Sequence, residues 1–318
     1  MTLPLLEVPV LLLVFNRPDK TEKVLESLKK IRPKYLFVSA DGPREDNPSD
    51  AINCKTTRDL FSSIDWECQI QTRYLDHNLG CKHGVSSGIS WFFEQVEEGI
   101  ILEDDCVVDP SFFEFAAELL VRYRNSDHVM HIAASNFIKT KAIESNTYHF
   151  SLYNHIWGWA TWRRAWQHYH VNLDQVTRKE FKEVLKNKFE RSIDRQYWLA
   201  IFDYVKSGNL PTWDYQWMFA MWIQNGIAIT PGVNLVKNIG FGEGGTNTQA
   251  GDKTFSEQEA GWMEFPLSHP SNFDINVNHD LHTADHLFKV KKYAGTWFLK
   301  LKIAALLPVK LKNWMKRL

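Results

Sequence analysis

The chain carries the stretch Gly99-Ile100-Ile101-Leu102-Glu103-Asp104-Asp105-Cys106-Val107-Val108-Asp109-Pro110, in which an apolar run ends directly on three carboxylates. The run predicts a short buried strand, and the apolar spacing that follows Pro110 predicts a helix. Carboxylates gathered at the end of a buried strand repel one another, so this arrangement needs a compensating partner. That partner is commonly a divalent cation with oxygen ligands, which also binds the phosphates of a substrate. The alternative is an acidic turn that caps the following helix.

Strands and helices alternate through the residues that precede this stretch. The continuous apolar run at residues 8–15 predicts a strand buried on both faces. Further strands are predicted at residues 35–40 and 68–74, and helical patterns alternate with the strands, one around residues 56–63. The alternation predicts an α/β fold, in which a mostly parallel, Rossmann-like sheet is flanked by helices. The remaining predicted elements are strands at residues 129–133 and 227–230 and helical structure over residues 171–207.

Polar residues follow the predicted strands where each one ends. In sheets of this kind, ligands bind beyond the carboxyl ends of the parallel strands. Each of these residues alone is explained as well by the chemistry of a turn. Together they predict a nucleotide-binding pocket. They are Asn16, Arg17, Asp41, Asn78 and Asp105.

Three segments in the second half carry further signals. Residues 155–166 contain four tryptophans and two arginines, which fill a core or wall a sugar cleft. Asp214 lies among aromatic residues after Pro211, which suits a general base or a helix cap, and Thr212 competes for the cap. The glycine-rich residues 238–247 form a mobile lid over a ligand or an ordinary surface loop.

The composition is that of a soluble globular protein. The 318 residues are 44% hydrophobic and 24% charged, and the net charge of −1 argues against a nucleic-acid binder. Thirteen tryptophans beside 20 phenylalanines and 10 tyrosines suit a sugar-handling cleft, although such rings also fill cores. The four cysteines lack the spacing of a zinc site, which predicts ordinary thiols in a reducing compartment.

The two ends of the chain bear on its location. The apolar run at residues 8–15 is too short to span a membrane and lacks a basic leader, so a cytoplasmic protein is expected. From Trp297 onward, basic and apolar residues alternate at helical spacing. This tail predicts an amphipathic helix on an anionic membrane surface or a terminal helix docked on the protein.

These pieces, in this order, resemble the GT-A fold of nucleotide-sugar-dependent glycosyltransferases, and within it the N-acetylglucosaminyltransferase I type. The resemblance covers roughly residues 9–247, and Trp157-Gly158-Trp159 is more similar to bacterial surface-polysaccharide transferases. The matching features are a strand followed by Asn16-Arg17-Pro18, Asp41 after the second strand, Ile101-Leu102-Glu103-Asp104-Asp105 followed by Pro110-Ser111-Phe112-Phe113, and Trp213-Asp214-Tyr215-Gln216-Trp217-Met218 with the glycine-rich segment after it.

The resemblance implies a role for each matching residue. Asp105 would be the direct ligand of Mn²⁺ (or Mg²⁺), and Asp214 would be the base that deprotonates the acceptor hydroxyl. Glu103 and Asp104 would contact the ribose and the sugar, and Asp41 with Arg17 would hold a uracil ring. The other implied donor contacts are Asn16, Asn78, Trp213, Thr246 and Asn247, with Lys237 as a further contact to the phosphates.

The resemblance therefore implies an inverting, metal-dependent glycosyltransferase. A UDP-sugar is the favoured donor, and the acceptor is a glycan or lipid-linked saccharide of a bacterial surface polysaccharide, reached from the cytoplasmic face of the membrane. The expected regions are a donor half at residues 1–136, an acceptor and catalytic half at residues 137–290, and the basic tail at residues 291–318. A second metal ligand would come from one of three histidines, His279, His282 or His286. The alternative is that these histidines only mark the polar start of a helix.

Three alternatives remain open. A sugar-nucleotide pyrophosphorylase uses a similar sheet, but it expects a glycine-rich, basic loop after the first strand, where this chain has Phe15-Asn16-Arg17-Pro18. A glycoside hydrolase would use paired carboxylates. A carbohydrate-binding protein on a degenerate transferase fold would bind sugar without depending on a metal.

Overall fold

The computed structural model of the chain describes residues 6–138, 147–241 and 258–293. Its centre is an eight-stranded mixed sheet, in which six strands run in one direction and two run against them. The parallel strands are β1 (Val10–Val14), β2 (Tyr35–Ala40), β3 (Gln69–Tyr74), β4 (Glu98–Glu103), β6 (Val129–Ala133) and β9 (Ile227–Pro231); the opposed strands are β7 (Tyr148–Ser151) and β8 (Trp159–Trp162). Their order across the sheet is β3-β2-β1-β4-β8-β6-β9-β7.

A short two-stranded ribbon and nine helices complete the described architecture. The ribbon pairs β5 (Cys106–Val108) with β10 (Val236–Asn238) in antiparallel fashion. A 3₁₀ turn covers Leu60–Ser63, and a π-helical turn covers Thr283–Leu287. The α-helices within the described residues are α1 (Pro18–Ile31), α2 (Pro48–Asp59), α3 (Gly80–Gln95), α4 (Pro110–Tyr123), α5 (Arg163–Trp166), α6 (Arg178–Lys188), α7 (Ser192–Lys206), α8 (Asp214–Ile223) and α9 (Val277–His282).

The α/β prediction, with its mostly parallel sheet, is confirmed. All five residues of β1 are buried, as expected for a strand covered on both faces. Helix α4 begins as predicted with Pro110 in its first turn, and the Asp109 carboxylate caps it by accepting from Ser111 N at 3.0 Å. The cap is thus Asp109, outside the acidic triplet.

Two predicted helices differ from the structure. The helix expected around residues 56–63 is α2, which begins earlier because Asn47 accepts from Ser49 N and Pro48 occupies the first turn. The helical region expected over residues 171–207 is two helices, α6 and α7, separated by extended backbone at Phe189. Strands β5, β7, β8 and β10 were not predicted, because three or four residues are too few to show a strand period.

The sheet separates two apolar layers. On one face, alternate β1 residues such as Val10 and Leu12 pack with α1 and α4; on the other, Leu11 and Leu13 pack with α3. A third buried cluster lies among α6, α7 and α8. Strands from both predicted halves, residues 1–136 and 137–290, share the one sheet.

Two predicted segments fall largely outside the described residues. These include most of the glycine-rich segment, from residue 242, and the basic tail, from residue 294. Where the chain is described, every helix is too short or too polar to cross a bilayer.

Candidate active site

A cavity of about 540 Å³ opens at the carboxyl ends of the parallel strands. This volume lies within the range typical of small-molecule sites. The ends of β1, β2 and β4 form its floor, and the residues before and at the start of α8 form one wall. The sequence-predicted residues that line it are Arg17, Asp41, Asn78, Glu103, Asp104, Asp105, Trp213 and Asp214.

Arg17 is the counter-ion of the acidic triplet. Strand β1 pairs with β4, so the residues beyond their ends meet. The Arg17 guanidinium donates to the Asp104 carboxylate through two nitrogens, and its Nη1 lies 3.0 Å from Asp105 Oδ2. Arg17 therefore supplies one positive charge against three carboxylates, and the triplet remains net negative.

Burial and mutual repulsion raise the pKa of two members of the triplet, Glu103 and Asp104. Burial, followed by the charges of Asp105 and Asp104, raises the pKa of Glu103 to about 8. Burial likewise raises the pKa of Asp104 to about 6, although Arg17 opposes this shift. Glu103 therefore holds a proton near neutral pH, and a protonated carboxyl group can donate a hydrogen bond to a sugar hydroxyl.

Asp41 and Asn78 meet at the cavity wall, and the carboxylate of Asp41 is fully hydrogen-bonded. Asp41 accepts from the backbone N–H groups of Gly42, Leu79 and Gly80, at 2.9 to 3.0 Å. It also accepts from Asn78 Nδ2 at 3.0 Å. These four bonds use the acceptor sites of the carboxylate. Asp41 thus links the end of β2 to the start of α3 through hydrogen bonds. The expected contact with uracil would require one of these bonds to break.

Asn16 is placed away from the cavity lining. Its Nδ2 donates to Asp50 Oδ1 at 2.6 Å, and Arg44 forms an ion pair with the same carboxylate. Arg44 lines the cavity and lies over the Phe15 ring, 5.4 Å from its centroid. The structure therefore adds a cationic side chain to the cavity where the sequence predicted an amide.

Asp214 begins α8 and faces the cavity beside Trp213. Trp213, rather than Thr212 or Asp214, is the N-cap residue of α8, and its side chain forms no cap hydrogen bond. Thr212 Oγ1 instead donates to the Asp214 carboxylate. Burial raises the pKa of Asp214 above its ordinary value, although hydrogen bonds from Thr212 and the backbone oppose the shift. A raised pKa gives this carboxylate the greater proton affinity that a general base requires.

The tryptophan-rich segment divides between core and cavity. Trp159, Trp162 and Trp166 are buried, which confirms the core interpretation for them. Trp157 lines the cavity instead, and Gly158, with φ of +64°, follows it. Trp213 stacks on Trp159 with ring centroids 5.7 Å apart, which ties the cavity wall to this core.

Asn238 is a cavity residue that no sequence motif predicted. It ends β10, and its Nδ2 donates to Asp105 Oδ1 at 3.3 Å. The only signal in the sequence is its position at the start of the glycine-rich segment. Its contact with Asp105 depends on the pairing of two three-residue strands, which a local pattern does not reveal.

The remaining predicted residues lie elsewhere. Lys237 forms an exposed ion pair with Glu259 and does not line the cavity. His279, like His282, belongs to α9, whose start Asn276 caps, which agrees with a polar helix start. Thr246 and Asn247 lie outside the described residues.

The donor chemistry at Asp105 fits a divalent cation that arrives with a substrate. Among the described residues, no three His, Cys, Asp or Glu side chains are arranged to hold a metal ion. Mg²⁺, however, is usually bound through one or two carboxylates together with substrate phosphates. Asp105 lines the cavity within a group that stays net negative beside Arg17, so the site suits this shared mode of binding.

No protein-family model matches the chain, and comparison with curated proteins finds no relative. The residues of the cavity therefore carry the functional conclusion.

Proposed function

We propose that this chain is an inverting, metal-dependent glycosyltransferase of the GT-A type. It transfers a sugar from a nucleotide-sugar donor, most simply a UDP-sugar, to a saccharide or lipid-linked saccharide acceptor. The observation that carries the proposal is the cavity itself. Its lining combines Asp214, a carboxylate of raised pKa, with an acidic triplet at the carboxyl ends of parallel strands.

The donor side of the cavity combines cationic and acidic groups. Arg17 and Arg44 line it, and each is ion-paired to carboxylates, Arg17 to Asp104 and Asp105 and Arg44 to Asp50, so a diphosphate would compete for these guanidinium groups. Asp105 would hold a divalent cation, which when bound neutralises the charge that develops on the departing diphosphate. Glu103, protonated near neutral pH, is suited to donate a hydrogen bond to a hydroxyl of the transferred sugar.

The transfer step follows from the position of Asp214. Its carboxylate accepts the proton of the acceptor hydroxyl as that oxygen forms a bond to the anomeric carbon of the donor. The bond between the anomeric carbon and the diphosphate breaks at the same time, and the nucleoside diphosphate leaves with its electron pair. Attack on the face opposite the leaving group inverts the anomeric configuration.

The biological setting is part of the same proposal. We place the enzyme in bacterial surface-polysaccharide synthesis at the cytoplasmic face of the membrane. Trp157 on the cavity wall supports a saccharide ligand, because aromatic faces pack well against the apolar faces of sugar rings. Peripheral contact through the basic tail stays a prediction, since that tail lies outside the described residues.

The first test is a thermal-shift screen of nucleoside diphosphates and nucleotide sugars, each with Mn²⁺ and with a chelator. A ligand that binds only the folded state raises its stability, by about 2.7 kcal/mol at a hundredfold excess over Kd. We expect UDP compounds to stabilise wild type when Mn²⁺ is present, and Asp105→Ala to lose this effect. Asp274→Ala, which removes an exposed carboxylate outside the cavity, is the control.

The other outcomes are equally informative. A response confined to GDP or TDP compounds would keep the transferase and discard the uracil assignment. Stabilisation by saccharides alone, without Mn²⁺ or nucleotide, would replace the proposal with a carbohydrate-binding protein. Stabilisation by Mn²⁺ and UDP that survives Asp105→Ala would show that Asp105 is not the metal ligand.

A further inference from the structure

We propose that Asn238 is a positioning residue that sets the orientation of the Asp105 carboxylate. The inference rests on the proposed function, in which Asp105 holds a cation against the donor diphosphate. Asn238 is only 7% exposed, and its side-chain Nδ2 donates to Oδ1 of the Asp105 carboxylate at 3.3 Å. An unoriented carboxylate would have to lose rotational freedom when the cation binds, whereas a hydrogen-bonded one has already lost it.

The amide of Asn238 can point in only one direction. Its Oδ1 accepts from Gly240 N at 2.7 Å, so its Nδ2 must lie on the other side, toward Asp105. The reversed amide would set two donors against each other at Gly240 and two acceptors against each other at Asp105. The backbone of the glycine-rich segment therefore determines the direction of the bond to Asp105.

The strand that carries Asn238 is itself in register with the acidic triplet. Strand β10 pairs with β5, and this pairing sets Asn238 opposite Cys106, the residue directly after Asp105. Ile239 N donates to Asp105 O at 2.8 Å, and Lys20 Nζ donates to Ile239 O at 2.8 Å. The position of Asn238 relative to Asp105 thus depends on main-chain bonds on both sides.

The second oxygen of Asp105 is confined as well. Arg17 Nη1 lies 3.0 Å from Oδ2, and a Cβ added at Gly240 would lie 2.1 Å from the same atom. Oδ2 therefore rests against the main chain of Gly240, which only a residue without a side chain permits. Asn238 and Arg17 approach the carboxylate through different oxygens, so together they oppose its rotation about the Cβ–Cγ bond. Without Asn238, the only hydrogen-bond contact left on Oδ1 within the described residues is the thiol of Cys106, with its Sγ at 3.5 Å.

The test compares two variants of Asn238 with a control variant of another asparagine, Asn276. Asn238→Leu removes the donor at similar size, and Asn238→Ala serves if the leucine variant folds poorly. Asn276→Ala is the control, because Asn276 caps α9 by accepting from His279 N and does not line the cavity. Mn²⁺ binding is measured by electron paramagnetic resonance in the presence of UDP.

We expect both Asn238 variants to bind Mn²⁺ about 10- to 100-fold more weakly than wild type, because partners that orient a metal ligand commonly contribute that much to affinity. Asn276→Ala should bind Mn²⁺ as wild type does, although it also loses a hydrogen bond. Wild-type affinity in the Asn238 variants would overturn the inference. Equal weakening in the control would also overturn it, because the effect would then reflect general destabilisation.

A crystal structure of the Asn238 variant without added metal separates this inference from the proposed function. We expect the Asp105 carboxylate to have turned away from its wild-type orientation. An unmoved carboxylate would overturn the positioning role whatever the variants bind. A wild-type protein that binds no Mn²⁺ with UDP would instead contradict the proposed function, and the crystal structure would still decide whether Asn238 orients Asp105.

Discussion

Arg17 and Asp214 both line the cavity, and their charged groups have different surroundings. Arg17 neutralises part of the acidic triplet, where three carboxylates would otherwise repel one another. Asp214 has no cationic partner among the described residues, and burial raises its pKa. Arg17 therefore favours the charged form of the carboxylates beside it, whereas the surroundings of Asp214 favour its protonated form.

Replacing Asp214 by asparagine isolates its role as the base. Asp214→Asn keeps the size of the side chain but removes its ability to accept a proton. We expect transfer to slow by about 10²- to 10⁴-fold, the usual contribution of a general base. Stabilisation by UDP with Mn²⁺ should persist, because Asp214 does not hold the donor in the proposed mechanism.

The measurement follows nucleoside diphosphate release in the presence of acceptor, with thermal shift as the binding readout. Asp274→Asn, which makes the same change at an exposed carboxylate, should transfer as fast as wild type. Transfer by Asp214→Asn within a few-fold of wild type would exclude Asp214 as the base.

Helix α3 approaches the sheet unusually closely beside the cavity. Gly84 lines the cavity, and a Cβ added there would lie 2.8 Å from Asp41 Oδ2 and 3.1 Å from Asp41 Cγ. Asp41 cannot easily give way, because four hydrogen bonds hold its carboxylate. The absence of a side chain at Gly84 thus lets α3 and the end of β2 share one wall of the cavity.

Gly84→Ala should therefore destabilise the protein and distort the cavity. Overpacking a tight contact costs about 1–3 kcal/mol, which exceeds the gain of about 1 kcal/mol in helix propensity over most of that range. Chemical denaturation measures the cost, and the UDP thermal shift reports the cavity. His83→Ala, at the exposed neighbouring position of α3, should be close to neutral. A Gly84→Ala variant as stable as wild type would show that α3 can move away from Asp41.

Stability in acid is a property of the whole molecule, because buried histidines lie where elements distant in the chain pack together. His149 on β7 lies 4.1 Å, between ring centroids, from His279 on α9. Both nitrogens of His149 lack a hydrogen-bond partner within the described structure. Burial lowers the pKa of His149 to about 4, and burial with the charges of His149, His155 and His282 lowers that of His279 to about 2.

A lowered folded-state pKa makes histidine destabilising in acid. Below about pH 6.5 the unfolded chain takes up a proton at His149 that the folded chain refuses, so this contribution to stability falls as the pH falls toward 4. Between about pH 8 and pH 5 the loss is about 2 kcal/mol for this one group. His149→Phe, which cannot titrate, should lose that much less stability over the same interval.

Urea denaturation at several pH values measures this difference between wild type and variant. Buried carboxyl groups with raised pKa, such as Asp280 at about 7, oppose the histidines in both proteins, so only the difference is informative. His83→Gln, at an exposed position of α3, is the control for removing a histidine. A His149→Phe variant with the wild-type dependence would show that the pKa of His149 is not lowered in the folded chain.

Local patterns predicted much of the architecture. Strands at residues 35–40 and 129–133 match β2 and β6, and the apolar spacing after Pro110 matches α4, because periodicity and caps are properties of adjacent residues. The short strands β5 and β10 escaped prediction, since three residues show no period. The pairing of those two strands brings the Asn238 amide within hydrogen-bonding distance of the Asp105 carboxylate.

The order of residues along the chain sets which of them follow each strand, and so which polar groups stand at one edge of the sheet. The partners of these groups depend on the folded chain: Arg17 pairs with Asp104 and Asp105, Asp41 with the backbone at the start of α3, and Asn16 with Asp50. The cause is the order of the strands in the sheet. Neighbours such as β1 and β4 are far apart in the chain, and their pairing follows from burying the whole sheet rather than from any local pattern.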